Sequence, residues 1–171
     1  LTLVNSTVTG NLATNTGGGG GGGGITFFGN SVDDLVVTNS IVAGNSSPSN
    51  AQIYENNAAS VLSQNSLIQD DTTASFATSA TNTLGVTTGE LADNGGPFDT
   101  VAIANDGIAI NAGDLALAVD PDGASLSTDA RGAGYARVVG GEVDIGAYES
   151  VSPPLTLTVT VTEDQLDASG T

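Results

Sequence analysis

One short frame recurs along this chain, and it constrains the fold more than any other feature. Its first copy is Leu3-Val4-Asn5-Ser6-Thr7-Val8-Thr9-Gly10-Asn11. The second is Val37-Thr38-Asn39-Ser40-Ile41-Val42-Ala43-Gly44-Asn45. A degenerate third is Ser63-Gln64-Asn65-Ser66-Leu67-Ile68-Gln69-Asp70-Asp71. The Asn-Ser pairs lie 34 and then 26 residues apart, a spacing that fits coils of a solenoid joined by loops of unequal length.

Each copy alternates like a strand, with one break in phase. Leu1, Leu3, Ser6 and Val8 cannot share one face at a strict period of two, and a bend near Asn5 restores the pattern. Asparagine tolerates such bends, and stacked asparagine side chains can hydrogen-bond from coil to coil. Asn5, Asn39 and Asn65 are therefore assigned a structural role, at corners where two short strands meet.

Composition agrees with thin stacked strands. Aromatics are only 4% of the 171 residues, and Trp, Met and Cys are absent, so a core must be built from Val, Ile, Leu and Ala. The 24 glycines show no period of three, which excludes collagen. Without cysteine there are no disulfides and no thiolate metal sites.

Charge excludes whole classes of partner. Nineteen acids stand against two arginines, with no Lys or His, for a net charge of −17. Nothing can neutralise phosphates, so nucleic acid is excluded, and an anionic membrane surface is repelled. No apolar run is long enough to insert in a membrane. The chain starts within an apparent strand, which suggests that a preceding segment has been removed.

Between the first two copies run eight glycines, Gly17 to Gly24, followed by Ile25-Thr26-Phe27-Phe28. This reads as a flexible or extended loop feeding a strand. A phosphate cradle would need a following Lys and an opening helix, and neither is there. Residues 46–59 and 72–90, rich in Ser, Thr, Asn and Ala, read as lateral loops. Residues 91–150 read as closing coils, a cap-like end to a domain spanning 1–150. Pro153-Pro154 marks a boundary, and Leu155 to Thr162 alternates as one further strand within a linker-plus-strand segment, 151–171. A lone strand must pair with something: this domain, a following one or another molecule.

The closing segment carries a family resemblance. Asp129-Ala130-Arg131-Gly132 followed by Val143-Asp144-Ile145-Gly146-Ala147-Tyr148-Glu149 resembles the end of the choice-of-anchor Q domain. Leu91 to Pro97 and Ile108 to Asp114 resemble that family's preceding segments, and the Asn-Ser strands resemble the right-handed parallel β-helix found with it. The likeness covers roughly residues 1–150. Residues 155–169 are weakly similar to the opening of a CSLREA-type unit, whose Ser-Leu-Arg-Glu-Ala core is missing. The resemblance implies a large, repetitive, secreted or surface-anchored bacterial protein with no defined enzyme activity.

The fold expected is thus all-β: a right-handed parallel β-helix, or β-solenoid, with long Gly/Ser/Asn-rich loops and an extra C-terminal strand. That fold also hosts pectate lyases and polygalacturonases, so catalysis has to be weighed. A lyase needs a base, and only Arg131 and Arg137 are basic. Hydrolysis needs facing carboxylates, whereas Asp33-Asp34 and Asp70-Asp71 are sequence neighbours that a strand would point opposite ways. Nucleophile systems built on His or Cys are impossible. No catalytic residue is assigned.

Calcium is the cofactor expected, because Asp120-Pro121-Asp122-Gly123 sets two carboxylates before a glycine turn, with Asp114 and Asp129 flanking. A solvated acidic turn is the competing reading. Arg131 is expected to bridge Asp144 or Glu149 and lock the last coils, with Tyr135 and Tyr148 capping the apolar stack. The function expected is a non-catalytic extracellular structural or adhesive module, joined to further copies of itself end to end or through strand 155–162. The alternative is a glycan-binding or polysaccharide-degrading β-helix protein, with glycans as partners.

Overall fold

The structure is a computed structural model that describes residues 1–14, 21–29, 34–56, 60–69, 73–81 and 87–151. Asp33, the Asp70-Asp71 pair and the strand expected at 155–162 lie outside these residues. The described part is all-β, with stacked parallel sheets. Helical structure there amounts to a four-residue turn, α1 (Thr73–Phe76), and a three-residue 3-10 turn, η1 (Leu115–Leu117). Among the described residues no helix is long and apolar enough to cross a membrane.

The N-terminal half makes three passes. The first holds β1 (Thr2–Val4), β2 (Thr7–Val8) and β3 (Ile25–Phe28). The second holds β4 (Asp34–Thr38), β5 (Ile41–Ala43) and β6 (Ile53–Asn56), and the third β7 (Ser60–Gln64) and β8 (Leu67–Gln69). Pairing is parallel throughout, in the orders β1-β4-β7, β2-β5-β8 and β3-β6. Thr2 faces Val36 and Asp34 faces Ser60, so the register repeats the 34- and 26-residue spacing of the Asn-Ser pairs.

The Asn-Ser pairs form the corners. Asn5, Asn39 and Asn65 all adopt left-handed backbone, with φ of 43, 46 and 45°. One such residue turns a strand without a loop, and asparagine enters this region more readily than most residues. The serines then form a ladder. Ser6 N donates to Ser40 Oγ (3.0 Å) and Ser40 N to Ser66 Oγ (3.1 Å). Each hydroxyl in turn donates to the carbonyl two residues back, as Ser40 Oγ does to Thr38 O (2.7 Å). The coil-to-coil contact expected of these asparagine side chains belongs instead to the serines and to a second corner. There Asn45 Oδ1 accepts from Asn11 N (3.1 Å) and Nδ2 (3.0 Å), just after Gly10 and Gly44, which are also left-handed.

Alternation sorts the apolar residues into two clusters. Leu35, Val37 and Val42 fill the inside of the stack with Leu3, Val8, Ile25, Phe27, Ile53, Val61 and Ile68. Ile41 and Ala43 point the other way and are equally buried, packed against Phe76, Ala77, Val101, Ile103, Ala109 and Ile145. The second face of β5 is therefore covered by the C-terminal half. That half contains β9 (Ser79–Thr81), β10 (Thr87–Gly89), β11 (Leu91–Ala92) and β12 (Thr100–Val101), paired antiparallel as β9-β10 and β11-β12. Residues of the 91–150 segment thus pack against the side of the stack. Among the described residues they add no further parallel pass, because their pairings are antiparallel. Gly146 N donates to Asn39 O (2.8 Å), and Ala147 N to Thr7 Oγ1 (3.0 Å), so the Val143–Glu149 segment docks on the first two corners.

The glycine run enters where the first pass is longer than the second. Leu12 and Gly22 are bridged to Ser46 and Asn50, so ten residue steps in one pass face four in the next. Gly21–Gly24 are described, and three of them are packed rather than loose. A Cβ on Gly22 would meet Tyr54 N at 2.8 Å, and one on Gly24 would meet Gln52 O at 2.8 Å. One on Gly23 would collide with the Ala51 and Ser46 carbonyls. Gly23→Ala should therefore lose ~1–3 kcal/mol of stability through overpacking against backbone that cannot rotate away. Urea denaturation measures this, and an unchanged midpoint would show that the segment is not packed there.

Candidate functional site

The acidic loop does not assemble the four-carboxylate set expected for calcium. Asp114 caps η1, its carboxylate accepting from Ala116 N (2.9 Å). Asp120 Oδ1 accepts from Asp122 N and Ala124 N (both 2.9 Å), closing a turn that Gly123 completes at φ 82°. Asp122 is exposed at the tip. Asp129 is buried, and both of its carboxylate oxygens accept hydrogen bonds. They accept from Arg131 N (2.8 Å), Nε (3.0 Å) and Nη2 (2.7 Å) and from Glu149 N (2.8 Å). Among the described residues no three acids come together as a cation site.

The charges that do converge form a buried cluster. Both arginines are almost fully inside, Arg131 at 4% and Arg137 at 1% exposure. Arg131 pairs with Asp129, and its contact to Glu149 is to the backbone carbonyl, from Nη2 at 2.6 Å. The Glu149 carboxylate pairs with Arg137 (2.5 Å). Arg137 also donates to Gly146 O (2.9 Å) and Asp144 O (3.1 Å). Asp144 accepts from Asn111 N (2.7 Å) and Ser150 N (2.6 Å). The expected bridge from Arg131 to Asp144 or Glu149 is thus replaced by two ion pairs, because Arg131 reaches a carboxylate two residues away while Arg137 fills the place beside Glu149. Tyr135 and Tyr148 flank the Arg131 guanidinium, with ring centres 4.1 and 3.9 Å away. They sandwich a cation, and Tyr148 also packs against the buried apolar cluster of Ile41, Phe76 and Ile145.

Local sequence explains the positioning. Asp129 accepts the N–H two residues on, a tight turn that Gly132 then extends at φ 80°. Gly95, at φ 89°, lies so close to the Tyr135 hydroxyl that no Cβ would fit. This packing holds one of the two aromatic walls in place.

Burial sets the protonation of the cluster. Desolvation pushes the Glu149 carboxyl up to about 7, assisted by the charge of Asp144 and opposed by the Asp144 N–H and the Arg137 guanidinium. Its Oε1 is buried without a hydrogen-bond partner among the described residues, which favours the neutral acid further. For Arg131, burial lowers the pKa, but the Asp129 hydrogen bond and charge, with Tyr148, outweigh it and raise the pKa above the usual value. The Glu149 value lies above that of the unfolded chain. Its stabilising contribution is therefore complete below about 4.5 and is lost as pH rises through about 7. Melting temperature should fall from pH 5 to pH 8, by an amount equivalent to ~1–3 kcal/mol. Glu149→Gln should flatten that slope, and an equally steep slope in the variant would assign it to other groups.

Three clefts follow the first pass. One of about 630 Å³ lies along β1, between Leu3, Val4 and Ser6 on one side and Leu117, Val119 and Leu126 on the other. A second, about 380 Å³, lies along β2 against Leu91, Phe98 and Val101. A third, about 360 Å³, lies between Gly10 and Thr88. Their lining is mainly apolar or hydroxylic. Leu91 and Phe98 are 65% and 72% exposed.

From sequence Arg137 stands out only as one of two basic residues, without a partner, and neither the serine ladder nor the Asn11–Asn45 contact is expected. Arg137 had a usable signal: in a chain this acidic, an arginine within a Gly- and Val-rich stretch has many carboxylates to pair with. Compared with known protein families, curated proteins and solved structures, the chain matches none.

Proposed function

We propose that this chain is a non-catalytic structural module, a right-handed parallel β-solenoid that forms part of a secreted or surface-exposed protein. The observation that carries the reading is where the polar chemistry is spent. With no Lys or His in the chain, its only two basic side chains are the arginines, and both are buried in ion pairs. Neither is offered to a substrate as a base. The repeat's serines and its buried Asn39 and Asn45 are spent likewise, on joining pass to pass and stack to cover. The first-pass clefts have little of the paired carboxylate or aromatic lining that polysaccharide chemistry uses.

The secreted setting is supported by the residues that resemble the choice-of-anchor Q domain. Incubation with a panel of acidic and neutral polysaccharides tests the reading. No new reducing ends or unsaturated products should form. Release of either, lost on substitution of an exposed acid, would make the chain an enzyme.

A further inference from the structure

We propose that copies of this chain join head to tail, the third pass of one copy seating against the first pass of the next. The inference rests on the stacked-coil reading above. Its observation is the polarity of the hydrogen bonds between passes. At every corner the asparagine N–H points to the carbonyl before the next corner: Asn5 N to Thr38 O (3.1 Å) and Asn39 N to Gln64 O (3.0 Å). The serine N–H points to the next serine hydroxyl. The residue after each serine points back: Ile41 N to Ser6 O (2.8 Å) and Leu67 N to Ser40 O (2.9 Å).

Continuing this pattern past each end gives two complementary edges. The first pass presents Val4 O and Ser6 Oγ as acceptors and Thr7 N–H as donor. The third presents Asn65 N–H and Ser66 N–H as donors and Ser66 O as acceptor. Each group on one edge meets its counterpart on the other, in the geometry already used twice inside the chain. The strands agree. Val36 N donates to Leu1 O, so the backbone groups of Thr2 and Val4 face away from β4. Gln64 O accepts from Asn39 N, so those of Ser63 face away from the stack at the other end.

The tail edge is open, with Ser60, Leu62, Ser63, Gln64 and Asn65 exposed; at the head Thr2 is exposed, and the half-buried Leu3, Val4, Ser6 and Thr7 border clefts whose far walls belong to the C-terminal half. Because each contact continues the stack in the same direction, pass upon pass, it builds open-ended oligomers. Each copy carries a charge of −17, so salt must strengthen the association by screening repulsion.

Sedimentation velocity of the whole chain, over a wide concentration range at low and high NaCl, tests this. The expected result is a broad series of oligomers that grows with concentration and with salt. Thr2→Pro removes the outward N–H of the head and Ser63→Pro that of the tail, at edge positions where proline is tolerated. Each variant alone should sediment as a monomer, and an equimolar mixture should give a dimer through the one intact pair of edges. A wild type that stays monomeric throughout, or proline variants that fold and still form the series, overturns the proposal. The wild-type measurement decides even if a variant fails to fold. Hydrogen exchange on the same sample separates the two readings. Slow exchange at Val36, Asn39 and Ile41 in a lasting monomer overturns the joining alone, whereas fast exchange there overturns the stacked coils.

Discussion

Arg137→Leu should destabilise the chain by ~3–5 kcal/mol, the cost of stranding one member of a buried ion pair. The guanidinium is 1% exposed and holds Gly146 O, Asp144 O and the Glu149 carboxylate at once. Its removal leaves Glu149 without a cation and two carbonyls without donors. Glu149 can answer by taking up a proton, which limits the loss above the pair's own worth and raises its pKa further. The double variant Arg137→Leu/Glu149→Leu removes both charges and should recover a large part of the loss. Guanidinium or urea denaturation at neutral pH gives the four corners of this cycle. A single-variant cost under ~1 kcal/mol would mean that water reaches the pair.

The effect matters because of where the cluster sits. Val143–Glu149 is the segment that docks on Thr7 and Asn39, and Arg137 binds three of its residues. Loosening it exposes Ile41 and Ala43, whose outer face packs against Val101, Ile103, Ala109 and Ile145 of this half. Loss of the ion pair is thereby transmitted to the second pass.

The stack itself was legible because its signals are local and repeated. The phase break among Leu1, Leu3, Ser6 and Val8 demanded a bend, and Asn5 supplies it at φ 43°. The spacing of the Asn-Ser pairs gave the register residue for residue. The cover was not legible, because its contacts join distant residues with no shared pattern. Asn39 and Asp114 are 75 positions apart, and nothing in either segment announces the other. In the acidic loop, Asp114 and Asp120 each accept a backbone N–H two residues on, so cap and turn chemistry accounts for their spacing without a shared cation. The glycine run looked loose because sequence does not show what lies against it; Gly22–Gly24 abut second-pass backbone.

The three corner asparagines, alike in sequence and in backbone, should differ sharply in cost when replaced. Asn39 is fully buried, and its amide holds both backbone groups of one residue: Nδ2 donates to Asp114 O and Oδ1 accepts from Asp114 N, both at 2.8 Å. Asn39→Ala loses both bonds, leaves a buried N–H unpaired and forces alanine into left-handed backbone, for a cost of ~2–4 kcal/mol. Asn39→Gly removes the backbone part and should retain ~1–3 kcal/mol from the amide alone. Asn65 is exposed, so Asn65→Ala should cost only ~1 kcal/mol, nearly all of it from φ. Asn5 is the inverse case, because its buried amide has no partner among the described residues. Asn5→Gly keeps the turn and deletes an unsatisfied group, so it should be neutral or slightly stabilising. Thermal melts of the set check the order. Equal losses for Asn39→Gly and Asn5→Gly would show that the Asn39–Asp114 contact contributes nothing, and that the cover is held by the buried ion pairs and apolar packing alone.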